Sequence, residues 1–191
     1  MSAETVKVEI KNRWTGAVLY TAQVPAGLES GLHMRAALEQ AVEARANLAG
    51  ANLAGANLAG ANLADAYLAG ANLAGAYLAG ANLADAYLAD ANLAGANLAG
   101  AKWRGGILIN KPPIQLYGLH WNVTILDAHM QIGCELHRLS DWQSFDDARI
   151  VQMDRQALRF WRGHKDALLS LARGAGRSFD AATEQAVEVA A

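Results

Sequence analysis

A leucine returns at every fifth position from Leu48 to Leu98, inside eleven consecutive pentapeptides of the pattern A-(N/Y)-L-A-(G/D) that run from Ala46 to Gly100 without insertion or deletion. Five steps at about 100° per residue turn successive leucines by roughly 140° around a helix, so no apolar stripe forms. Eight units end in glycine (Gly50, Gly55, Gly60, Gly70, Gly75, Gly80, Gly95 and Gly100), and each glycine would cost about 1 kcal/mol in a helix interior. A continuous strand fails as well, because five steps at about 180° send alternate leucines to opposite faces. The chain must turn once per pentapeptide. Within a unit the alanine two residues before the leucine (Ala46 with Leu48, Ala51 with Leu53) shares its side of an extended segment, and the Asn or Tyr between them faces out. Ala-Gly or Ala-Asp supplies the bend.

A chain that turns every five residues while keeping Leu and Ala inside winds into a solenoid. Stacking the coils buries a leucine column at about 1.5–3 kcal/mol per side chain, an upper bound set against the entropy of ordering the chain. These residues resemble the pentapeptide repeat family, whose motif is A-(D/N)-L-x-x. The resemblance implies a mainly β fold, a short right-handed quadrilateral parallel β-helix with four pentapeptides per coil, an inward central Leu and an inward Ala two residues earlier. Ala101-Lys102-Trp103-Arg104-Gly105 reads as a degenerate twelfth unit with Trp103 in the leucine slot. Residues 46–105 then make about three coils, and Gly106 to Asn110 is expected to begin another with Leu108 inward.

Residues 1–45 are expected to form an N-terminal cap. Val6, Val8 and Ile10 alternate with polar residues, as do Val18, Tyr20, Ala22 and Val24 after the Thr15-Gly16 break, which reads as a β-hairpin. Leu32 to Arg45 carries Met34, Leu38, Ala41 and Val42 at helical spacing. Hairpin and helix together would protect the open end of the solenoid from edge-to-edge association. Residues 106–178 read as a C-terminal α+β cap: Ile114 to Gly118, Trp121 to Leu126 and Met130 to Cys134 are short β-rich runs. Helical signals follow, with Ser140-x-x-Gln143 and Ser144-x-x-Asp147 as capping boxes and Asp154 as the cap of a helix ending at a C′ glycine, Gly174. Residues 179–191 are expected to fray. The stretch from Met130 through Trp161 also resembles phage and prophage proteins of unknown role.

Net charge is −2, hydrophobic content 53% and mean hydropathy +0.07, so the chain is globular, with no global field toward nucleic acid or an anionic membrane. The absence of an 18-residue apolar run and the single cysteine point to a cytoplasmic protein, in the host cytoplasm if a phage encodes it. His120, Asp127, His129, Cys134 and His137 form the best enzymatic constellation, with Cys134-x-x-His137 at ligand-like spacing. The favoured reading there is a buried cysteine in a small sheet with histidines at its rim, so no catalytic residue, metal or cofactor is expected.

The candidate interaction surface lies in the exceptions to the repeat. On a twenty-residue coil Asp65 and Asp85 stack at one corner, Tyr67 and Tyr87 on the adjoining face, and Tyr77 on the opposite face, with Asp90 as a third acid. The alternative is that the aspartates replace glycine as turn residues and the tyrosines shield the wall backbone. Some family members imitate duplex DNA with acidic rows and bind type II topoisomerases. Here three acids stand against two bases, Lys102 and Arg104, too few to reproduce a charge every 1.7 Å or so of duplex. Arg155, Arg159 and Arg162, with Arg173, mark one face of the last helix, either a solvated face or a contact surface. The expected function is non-catalytic binding of a protein partner rather than nucleic acid or membrane. The finer expectation is a phage-encoded inhibitor or modulator of a host nucleic-acid enzyme or defence complex, such as a topoisomerase or a CRISPR-type system. A structural or assembly scaffold and a small metal-dependent enzyme in the C-terminal region are the alternatives; the apolar face of the last helix either serves homodimerisation through C-terminal elements or packs on the final coil.

Overall fold

The computed structural model describes residues 4–180 and divides after Pro113 into two compact units. In the first unit the residue between Ala and Leu bridges in parallel to its counterpart twenty positions on: Asn47 to Tyr67, Asn52 to Asn72, Asn57 to Tyr77 and Asn62 to Asn82. One coil is therefore four pentapeptides. The ladder is ordinary parallel β pairing, with the Leu48 amide donating to the Tyr67 carbonyl (3.1 Å) and the Asn72 amide to the Ala51 carbonyl (2.8 Å). At each corner the chain closes a four-residue turn, as where the Ala51 amide donates to the Leu48 carbonyl (2.9 Å). Gly50, third in that turn, has φ +70°, the left-handed conformation a type II turn requires. Every repeat leucine is buried except Leu88, which is half-buried on the last coil, and Trp103 fills the leucine slot of the twelfth unit at 4% exposure.

No further coil follows. Gly105 (φ +69°) and Gly106 (φ +77°) are both left-handed, which reverses the chain where a coil needs one such residue followed by an extended segment. Strand β4 (Leu108–Ile109) consequently runs antiparallel to β3 (Ala101–Lys102), with Ile109 rather than Leu108 fully buried.

At the other end, β1 (Thr5–Lys11) and β2 (Val18–Pro25) form the hairpin, with Val8 opposite Ala22 and Ile10 opposite Tyr20. Helix α1 (His33–Glu43) buries Ala37, Leu38 and Ala41 and ends in a Schellman motif, with Arg45 at φ +52° in the position glycine usually holds. Both elements supply partners to the first coil's edge. The Lys11 carbonyl accepts from the Asn52 amide (2.8 Å) and the Arg13 amide donates to the Gly50 carbonyl (2.7 Å). One helical turn apart, Arg35 donates to the Ala59 carbonyl (2.7 Å) and Glu39 accepts from the Asn62 amide (3.0 Å), so two side chains replace the donor and acceptor of a missing strand.

The second unit is an antiparallel meander, β5 (Ile114–Leu116), β6 (Val123–Ile125), β7 (His129–Ile132) and β8 (Glu135–Arg138), followed by α2 (Leu139–Ser144), α3 (Asp147–Val151) and α4 (Ala157–Gly174). Its core joins Val123, Ile125, Met130 and Trp142 to Phe160, Trp161, Leu168 and Leu169. The helix boundaries differ from those expected. Neither Ser140 nor Ser144 caps a helix: α2 begins at Leu139, and the α3 cap is Asp146, whose carboxylate accepts from the Arg149 amide (2.8 Å). Asp154 accepts from the Gln156 amide (2.7 Å) just before α4 rather than capping it. The left-handed C′ glycine is Gly176 (φ +64°), because the Arg177 amide reaches back to the Ala172 carbonyl and closes the Schellman motif there. Phe179, expected to start a frayed tail, packs against the core, and the rest of that tail beyond Asp180 lies outside the described residues.

Gly50→Ala should cost more stability than Gly55→Ala, although both enter a left-handed turn at about 1–2 kcal/mol, because a Cβ at Gly50 would sit 2.4 Å from the Trp14 ring while Gly55 has open space. Denaturant melts measure the difference, which should shrink in a Trp14→Ala background. Replacing both Arg35 and Glu39 by Ala should lower stability by about 1–3 kcal/mol and raise self-association in light scattering. An unchanged association state would remove the edge-protection role.

Candidate functional site

Four walls make the coil surface, and on most of them the outward residue is structural. The Asn72 amide donates to the Asn52 side-chain carbonyl (3.4 Å) and Asn82 to Asn62 (3.2 Å), so the asparagines form ladders up their walls. Each of several asparagines also accepts from the amide two residues on, as Asn47 does from Ala49 (3.0 Å) and Asn92 from Ala94 (3.0 Å). Outward facing was legible in the sequence, and a twenty-residue coil already stacks like positions, but the side-chain bonds between successive asparagines were not foreseen. The repeated Asn before Leu is the only signal for them.

Three positions abandon this arrangement. Tyr67 and Tyr87 follow Asn47 on one wall, and their rings stack with centroids 5.3 Å apart at 28°. Tyr77 stands on the wall two corners away, between Asn57 and Asn97. All three are more than half exposed, at 56%, 52% and 58% for Tyr67, Tyr87 and Tyr77. An aromatic ring held on a rigid wall loses little side-chain entropy on binding, which suits it as an anchor.

The aspartates occupy the corners where other units have glycine, at φ +59° for Asp65, +57° for Asp85 and +60° for Asp90. Aspartate tolerates this conformation better than most residues, but it remains less favourable than glycine. Asp65 and Asp85 border the tyrosine wall on the side that precedes it in the chain, and Asp90 stands at the corner that follows it. At that same corner, one and two coils below Asp90, the Trp14 ring covers Gly70 and Gly50, with the Arg13 guanidinium 4.5 Å over the ring and bonded to the Gly70 carbonyl (3.2 Å). Sequence reasoning did not single out Trp14, although an exposed tryptophan in a hairpin loop was visible.

In the second unit the arginine face is only partly open. Arg162 pairs with Asp147, and its guanidinium holds that carboxyl below the usual range, chiefly through the hydrogen bond. The pair's contribution is therefore present at neutral pH and is lost as pH falls through the lowered pKa of Asp147. Arg173 donates to Gln143 (2.8 Å) and lies 4.7 Å over Phe179, whereas Arg155 and Arg159 are exposed, and Arg155 is not on the helix face as expected because α4 begins only at Ala157.

The histidine and cysteine constellation is dispersed. His120 is exposed against the edge of Trp121, His129 is buried on β7, and Asp127 lies 3.9 Å from Arg177. His137 bonds Glu135 (2.7 Å). Cys134 is exposed in the turn between β7 and β8, not buried as expected, because Gly133 (φ +57°) ends β7 before it. Among the described residues no three His, Cys, Asp or Glu side chains come together as a metal site, and no helix is long and apolar enough to cross a membrane.

Asp65→Gly combined with Asp85→Gly should leave stability within about 1 kcal/mol of wild type, with any shift toward stabilisation, as measured by thermal melts. A large loss would mean that the aspartates serve the fold.

Residues 46–83 and 66–105 match the family model for pentapeptide repeats, in eight copies. No curated protein and no solved structure matches the chain.

Proposed function

We propose, from the membership of residues 46–105 in the pentapeptide repeat family, that this chain is a non-catalytic protein-binding scaffold whose recognition wall is centred on Tyr67 and Tyr87. The observation that carries the reading is their stacked, exposed pairing on a wall whose one remaining equivalent position, Asn47, is asparagine. The coil is taken as right-handed, following the family. Asp65 and Asp85 at one border and Asp90 at the other favour a partner with basic side chains, whose guanidinium or ammonium groups gain both charge pairing and contact with the tyrosine rings. Arg155, in the turn before α4, and Arg159, on α4, offer a second exposed surface of opposite sign. The proposal extends, on the sequence reading of residues 130–161 alone, to a phage-encoded modulator of a host nucleic-acid enzyme or defence complex.

Combining Tyr67→Ala with Tyr87→Ala removes the wall, and Tyr77→Ala serves as the control on the opposite wall. Because all three rings are exposed, each variant should fold, with the double variant losing about 0.5–1.5 kcal/mol of ring stacking. Affinity capture from a host lysate should return one partner with wild type and with Tyr77→Ala and lose it with the double variant. Retention of the partner by the double variant would eliminate this wall as the site. Self-association of wild type that the double variant abolishes would support the assembly-scaffold reading instead.

A further inference from the structure

The second unit contains a cavity of about 110 Å³ that none of the preceding functions uses. Four aromatic residues line it, Trp121, Trp142, Phe160 and Trp161, together with Cys134 and two acidic residues, Glu135 and Asp154. Among the described residues that line it there is no lysine, arginine or histidine. The rings are fixed by packing. Trp142 donates its indole N–H to the Met130 carbonyl (2.7 Å) and lies 5.0 Å from Trp161, while Trp121 meets Phe160 edge-on at 5.2 Å. Gly133, left-handed at φ +57°, brings the β7–β8 turn so close to Trp121 that a Cβ there would stand 3.1 Å from the indole. Cys134 and Asp154 are exposed, which puts the mouth of the cavity at the surface.

Aromatic walls with acidic residues beside them favour an organic cation, because ring quadrupoles and carboxylates both attract positive charge while the apolar lining disfavours a strongly hydrated ion. This ring cluster already holds one ammonium, with Lys165 Nζ 5.5 Å from the Trp161 ring centre. The two carboxylates are also engaged locally, Glu135 with His137 and Asp154 with the Gln156 amide, which orients them. An apolar cavity of about 150 Å³ accepts benzene, so the smaller volume here suits one compact headgroup. We propose that this cavity binds a methylated ammonium group, carried either by a free choline-type molecule or by the tip of a trimethylated lysine. The site is independent of the tyrosine wall.

Choline and tetramethylammonium, titrated into the full chain at constant ionic strength, can be compared with 3,3-dimethylbutan-1-ol, the neutral carbon isostere of choline. Tryptophan fluorescence reports on binding, since three of the five tryptophans line the cavity. Choline should bind about tenfold more tightly than the isostere. Combining Glu135→Gln with Asp154→Asn keeps the shape and the local hydrogen bonds and should weaken choline several-fold with an unchanged melting temperature. Equal affinity for the isostere, no effect of the double variant, or no response to tetramethylammonium up to about 50 mM would overturn the proposal. A trimethyl-lysine peptide that binds where the unmodified peptide does not assigns the group to a protein; binding of choline alone assigns it to a small molecule.

Discussion

A left-handed residue every fifth position is the constraint on which the first unit depends. The turn it permits lets the wall segment deliver one leucine and one alanine inward before the chain bends again. Four such bends bring residue i beside residue i+20, and the parallel ladder, the buried leucine columns and the asparagine ladders all follow from that register. Where the pattern changes to two left-handed residues in succession, at Gly105 and Gly106, the coil stops and the chain folds back. The hairpin and α1 complete the opposite edge, with Arg35 and Glu39 acting as side-chain substitutes for a strand.

Much of the first unit was legible because its information is local and repeated. The inward Leu and Ala, the corner glycines and the hairpin all follow from residue type and spacing within a few positions. Less legible were features that join distant residues, such as Trp14 over Gly50 and Gly70 or Glu39 on the Asn62 amide. In the second unit the runs read as strands include β5, β6 and β7, but β8 was missed, since its Glu-Leu-His-Arg sequence lacks β-branched residues and gains its place from pairing with β7. The capping signals also failed. Serines at plausible spacing are common, and the residue that caps α3 is Asp146, whose carboxylate accepts from the Arg149 amide three residues on.

The same contrast applies to function. Repetition makes the asparagines interchangeable structural elements, so the three tyrosines and three aspartates stand out as positions where the coil gives up something: an asparagine contact in one case, a favourable turn conformation in the other. The aspartates show both weighed readings at once, since they are turn residues by backbone conformation and negative charges beside an aromatic wall by position. In the second unit, residues singled out for chemistry lie apart, while aromatic residues that looked like ordinary core line a cavity with two acids. Spacing could not reveal that cavity because its lining comes from strands, turns and three separate helices.

The twenty-residue register places Tyr67 directly below Tyr87 and Tyr77 on another wall, and both the coil and the recognition wall depend on it. The most direct measurement is oxidative cross-linking of paired cysteines in a Cys134→Ser background. Tyr67→Cys with Tyr87→Cys, on neighbouring strands about 4.8 Å apart, should cross-link rapidly within one chain, and Tyr67→Cys with Tyr77→Cys should not. Equal cross-linking of the two pairs, or preferential cross-linking of the second, would contradict the coil and the recognition wall built on it.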